Sequence, residues 1–90
     1  MTDIDFPTVL FGPTDPIESA RSCVMREIIA HRGDHGKNLV RDYCRMLDEH
    51  QHKFEISGYT PDQVTAIRQI FTTAKATAIR DGRVFAYLWF

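Results

Sequence analysis

The sequence predicts a mainly α fold: a three-helix bundle with an extended N-terminal arm and an apolar C-terminal tail, the tail able to form a short two-stranded ribbon with the arm. Two helix-start signatures, Asp15-Pro16 and Thr60-Pro61, and a strongly amphipathic stretch between them carry this reading. The chain has 90 residues, 43% apolar and 26% charged, which is the size and composition of one globular domain. Residues 1–90 are therefore read as a single unit, and neither disorder nor low complexity describes it.

Residues 1–14 read as the arm, because Pro7 and Pro13 interrupt a helix and Thr8-Val9-Leu10-Phe11 is too short and too apolar to be one. The first helix is expected over residues 15–32. Asp15 offers an oxygen to the free N–H groups, Pro16 suits the first helical position, Glu18 completes a capping-box-like pattern, and Gly33 is available as a left-handed cap. Ile17, Ala20, Val24 and Ile28 form one stripe and Met25 and Ile29 a second, so this helix is expected to touch two neighbours.

Asp34-His35-Gly36-Lys37 forms a tight polar connection to the second helix, expected over residues 38–54. There Leu39, Val40, Tyr43, Met46, Leu47, His50 and Phe54 share one arc, and Arg41, Asp42, Arg45, Asp48, Glu49 and His52 lie opposite, with Arg45 and Glu49 spaced for an ion pair. Ser57-Gly58-Tyr59 closes that helix. The third, over residues 60–81, opens on Thr60-Pro61-Asp62-Gln63 and shares Val64, Ile67, Ile70, Phe71, Ala74 and Ala78 on one face before Asp81-Gly82 ends it. In the tail, residues 83–90, Phe85, Tyr87 and Trp89 alternate with Val84, Ala86, Leu88 and Phe90, a strand-like composition that could pair with Thr8–Phe11; a helical continuation is the competing reading.

Composition narrows the function. The seven-residue apolar run at Val84–Phe90 is far short of the roughly 20 residues that cross a bilayer, so no membrane span is expected. The acidic Met1–Phe6 stretch lacks the features of a signal peptide, which places the expected site of action in a cytoplasm, with Cys23 and Cys44 reduced. Eleven basic against twelve acidic residues give a net charge of -1, without the basic excess of a dedicated nucleic-acid binder. The charge is nevertheless uneven: residues 1–20 carry four acids and no base, while residues 21–45 carry six bases and three acids. A chain this small buries only about 60% of its unfolded surface, which makes a homodimer a reasonable expectation.

Candidate chemistry is sparse. His31, His35, His50, His52, Cys23 and Cys44 are possible metal ligands, but Gly33 interrupts the His31–His35 pair and His50 and His52 point to opposite faces of a helix. His50 is accordingly read as a semi-buried core histidine and both cysteines as packed thiols. Asp48-Glu49 reads as a solvated face, so no catalytic residue, metal ligand or cofactor is assigned. Gly33–Asn38 has the glycine–lysine order of a phosphate loop but no preceding strand, and Asn38 stands where a metal-binding hydroxyl belongs.

The leading expectation is a small non-enzymatic protein-interaction module, an adaptor or an inhibitor that occludes a partner's surface. Tyr87, Trp89 and Phe90 would anchor the contact, and Arg41, Arg45 and Arg68 would orient it. One alternative is a helix-turn-helix-like nucleic-acid-binding regulator using Gln63, Thr65, Arg68, Gln69, Thr72 and Lys75. Another is a zinc-supported small module.

Overall fold

Caps decide where the helices begin. The computed structural model describes residues 15–84 and contains three helices, α1 (Pro16–Ala30), α2 (Lys37–Glu55) and α3 (Pro61–Asp81). Asp15 Oδ1 accepts from the Ile17 amide at 2.9 Å, with Pro16 at the first helical position. Glu18 does not close the expected box; its carboxylate binds Arg21 at 3.0 Å. The Asp15 oxygen already serves the second helical amide, so the reciprocal geometry of the box is not set up. At α3 the box is complete: Gln63 N–H donates to Thr60 Oγ1 at 3.2 Å, and Thr60 N–H donates to Gln63 Oε1 at 3.0 Å.

The helix ends differ in one respect from expectation. Gly82 takes the left-handed conformation at φ 68° and donates its N–H to Ala78 C=O, as Asp81-Gly82 suggests. Helix α1, however, stops at Ala30 with His31 as its cap. Gly33, at φ 89°, belongs to the connection and not to the cap, because its N–H is taken by Val84 C=O at 3.0 Å.

The helices pack as a three-helix bundle around one core. Its buried members are Ala20, Cys23, Val24 and Ile28 from α1, Val40, Tyr43 and Leu47 from α2, Ile67, Phe71, Ala74 and Ala78 from α3, and Val84. These are the predicted stripes, but narrower. Leu39 is 44% exposed and Ile29 58% exposed, so the outer edges of both arcs stay on the surface. Each lies one residue, about 100°, away from a buried neighbour, Val40 or Ile28, that already fills the interior. In the last turn of α2, Phe54 packs against Tyr59 and Phe71, with ring centroids 6.5 Å and 5.8 Å away.

The start of the tail pairs with the α1–α2 connection. Val84 N–H donates to Asp34 C=O at 2.9 Å, Gly36 N–H donates to Gly82 C=O at 3.1 Å, and His35 and Arg83 form an antiparallel bridge. This strap fixes the end of α3 against the start of α2. The expected ribbon with Thr8–Phe11 falls on residues 1–14 and 85–90, which lie outside the described residues. Val84→Ala removes two buried methyl groups beneath the strap and should lower the unfolding free energy by about 2 kcal/mol, read from urea denaturation.

Candidate binding cleft between α2 and α3

Along the outer seam between α2 and α3, polar side chains meet in levels. At one end Arg68 presents both arms of its guanidinium to Glu55, Nε to Oε2 and Nη2 to Oε1, each at 3.1 Å. Gln51 donates to the same carboxylate at 2.8 Å. These contacts hold the Glu55 carboxyl below its ordinary range and raise the Arg68 guanidinium in turn. Seven residues further along each helix, in opposite directions, the Lys75 ammonium donates to Asp48 and to Gln51 Oε1, the latter at 3.1 Å.

The same step once more brings Gly82 opposite Arg41, and here the ionic series stops. Val40, Cys44 and Ile79 with Gly36 and Gly82 line an open cleft of about 470 Å³, with Lys37 and Arg41 completing its wall. Ile79 is 65% exposed. Gly82 has open space where a side chain would stand, with no atom within 4 Å of a Cβ position. Among the described residues neither Lys37 nor Arg41 has an ion pair, so the cleft carries two cations beside an apolar floor. Burial and the nearby Asp48 push the Cys44 thiol up.

The seam with α1 is built differently. Glu27 crosses to His50 Nε2 at 3.1 Å and lies 3.5 Å from His31 Nε2, while His31 Nδ1 faces Asp34 at 3.2 Å. The His31 ring also meets Tyr43 edge-on at 5.7 Å, and burial raises the Tyr43 phenol. His50 is thus half-buried, as expected, but it is committed to a carboxylate. Sequence reasoning missed Glu27, although its i,i+4 spacing to His31 is visible in the chain. Cys23 is buried beside this seam and its thiol is raised by burial, which keeps it a poor nucleophile.

The predicted site residues are scattered. Tyr87, Trp89 and Phe90 lie outside the described residues. Arg41 lines the cleft, Arg45 is exposed and pairs with Asp42 at 3.4 Å and not with Glu49, and Arg68 is engaged by Glu55 toward the opposite end of the seam. The three arginines do not form one surface.

Of the residues considered for nucleic acid, Gln63 is used in its helix cap, Thr65 Oγ1 donates to Pro61 C=O at 3.0 Å, and Arg68 and Lys75 are bound across the seam. The strip from Arg68 to Lys75 is therefore not a free basic face; Gln69 and Thr72 remain exposed. Contacts from Glu55–Arg68 to Gly36–Gly82 lay α2 and α3 side by side along their length, whereas a helix-turn-helix pair crosses at about 90–120°.

Among the described residues no group of three or more His, Cys, Asp or Glu side chains is placed to hold a metal ion. His35 Nδ1 faces Gly33 C=O at 3.4 Å and His52 is exposed. No described helix is long and apolar enough to cross a membrane. Comparison with family models, with curated proteins and with solved structures finds no match to this chain.

Because Arg68 favours ionised Glu55 in the folded state, the pair stabilises the fold above the ordinary carboxylate value of 4.5, and this stabilisation is lost as the pH falls through the lowered folded value. The melting temperature of the native protein should therefore exceed that of Glu55→Gln near neutrality, with the two curves converging from about pH 5 toward pH 3.

Proposed function

We propose that this chain is a non-enzymatic protein-interaction module, an adaptor or inhibitor, whose α2–α3 cleft receives an acidic, apolar segment of a protein partner. The observation that carries this reading is the end of the ionic series. The groove continues past Lys75, but its floor becomes Val40, Cys44 and Ile79, and among the described residues its cations, Lys37 and Arg41, pair with no carboxylate. A partner that supplies both a carboxylate and an apolar side chain completes what the groove lacks. The cleft is open to solvent, which suits a peptide segment better than an enclosed small molecule. Tyr87, Trp89 and Phe90 belong to this proposal as further anchors, given the enrichment of aromatics at interface centres.

The test uses the full chain and a fluorescent ten-residue peptide alternating aspartate with leucine or phenylalanine. Its affinity, read by anisotropy, should weaken tenfold or more in Arg41→Glu and in Ile79→Asp and stay unchanged in Gln69→Ala, which alters an exposed residue of α3 outside the cleft lining. Equal affinity for all of these variants would remove the cleft from the proposal. The double substitution Trp89→Ala/Phe90→Ala should weaken partner or self association more than it lowers the melting temperature. The reverse outcome would return those aromatics to the core.

A further inference from the structure

The groove between α1 and α2 carries two cations of its own. Ser19, Ser22, Cys23 and Arg26 recur at i, i+3, i+4 and i+7, which places them on one face of α1. His50, Lys53 and Phe54 hold the matching i, i+3 and i+4 positions on α2. With Glu18 these residues line a groove of about 370 Å³ that opens to solvent. Buried Cys23 and the half-buried Phe54 ring supply its apolar surface, and Arg26 and Lys53 are exposed on its two walls.

These cations differ from those of the α2–α3 seam, where Arg68 and Lys75 each reach a carboxylate on the opposite helix. Here Glu18 binds Arg21 at 3.0 Å and Glu27 binds His50 Nε2 at 3.1 Å. Among the described residues no acid pairs with Arg26 or Lys53, and no side chain engages the Ser19 or Ser22 hydroxyl. The two charges nonetheless converge. Burial raises the Cys23 thiol, and Arg26 and Lys53 each act to lower it, so both reach the same atom in the groove.

Like charges on neighbouring helices repel, and an anion between them removes that repulsion and takes up the free donors. A carboxylate brings one charge and two oxygens. A phosphate monoester brings nearly two charges and three terminal oxygens, which matches two cations and two hydroxyls better. The groove is larger than a bare phosphate and reaches the lower end of small-molecule sites, so its apolar surface is left for the body of the ester.

We propose that the α1–α2 groove binds a small phosphate monoester with an aromatic or other apolar body, the phosphate held by Arg26, Lys53, Ser19 and Ser22 and the body lying on Phe54 and Cys23. The site shares no lining residue with the α2–α3 cleft and is tested separately from it.

The probe is phenyl phosphate, titrated into the isotopically labelled full chain at constant ionic strength and followed by amide shifts. Saturable shifts should gather at Ser19, Ser22, Arg26 and Lys53, with inorganic phosphate and benzoate each binding at least threefold more weakly. Affinity should fall about fivefold or more in Arg26→Gln and in Lys53→Gln, exposed positions whose replacement spares the core. It should stay unchanged in Arg32→Gln, which removes an equal charge at an exposed position outside the groove. Equal affinity in Arg26→Gln, Lys53→Gln and the native chain overturns the site, as does a titration without saturation. Inorganic phosphate binding as tightly as phenyl phosphate overturns the apolar body, and benzoate binding as tightly overturns the choice of phosphate. Shifts at Gly36, Arg41 and Gly82 in place of the α1–α2 groove overturn the location.

Discussion

Gly82 sets the character of the end of the molecule where the cleft opens. Its left-handed backbone turns the chain out of α3 at φ 68°, lets Val84 reach the core and allows the strap to Gly36 to form. A residue with a side chain would adopt that conformation only at a cost of roughly 1 kcal/mol or more. The same glycine puts no side chain into the seam where the register of α2 and α3 brings it opposite Arg41. The requirement for a sharp helix end and the gap between the described side chains of this groove therefore share one cause.

The ionic contacts along the seam set register more than they add stability. Arg68–Glu55 is exposed on its arginine side, and solvent screening leaves pairs of that kind little net contribution to stability. The core from Ala20 to Val84 carries the fold. What the pairs do is commit Arg68 and Lys75 to partners within the bundle, so the side chains that look basic in the sequence are not equally available. Lys37 and Arg41 differ because, among the described residues, no carboxylate pairs with either. Availability of charge, and not its count, distinguishes the two ends of the groove.

The helices were legible because their signals are local. Thr60-Pro61-Asp62-Gln63 specifies a cap within four residues, and the Val40–Tyr43–Leu47 spacing specifies a buried face within two turns. Where the sequence reading fell short, the deciding contacts are distant. Gly33 does not cap α1 because Val84, far along the chain, occupies its amide. Arg68 looked like an orienting cation because nothing near it in sequence predicts Glu55 as its partner across the seam. The sequence shows Arg41 as a cation on the polar arc of its helix, but Cys44 and Ile79 come to line the same cleft only once the α2–α3 register is known.

The central claim is that the open level of this seam is where the protein meets an acidic, apolar segment. Amide chemical-shift mapping on the isotopically labelled full chain, titrated with the aspartate–leucine peptide, addresses it most directly. The account predicts saturable shifts concentrated at Gly36, Val40, Arg41, Cys44, Ile79 and Gly82. Shifts confined to a second groove, between α1 and α2 and lined by Ser22, Arg26 and Lys53, or none at any peptide concentration, would contradict it.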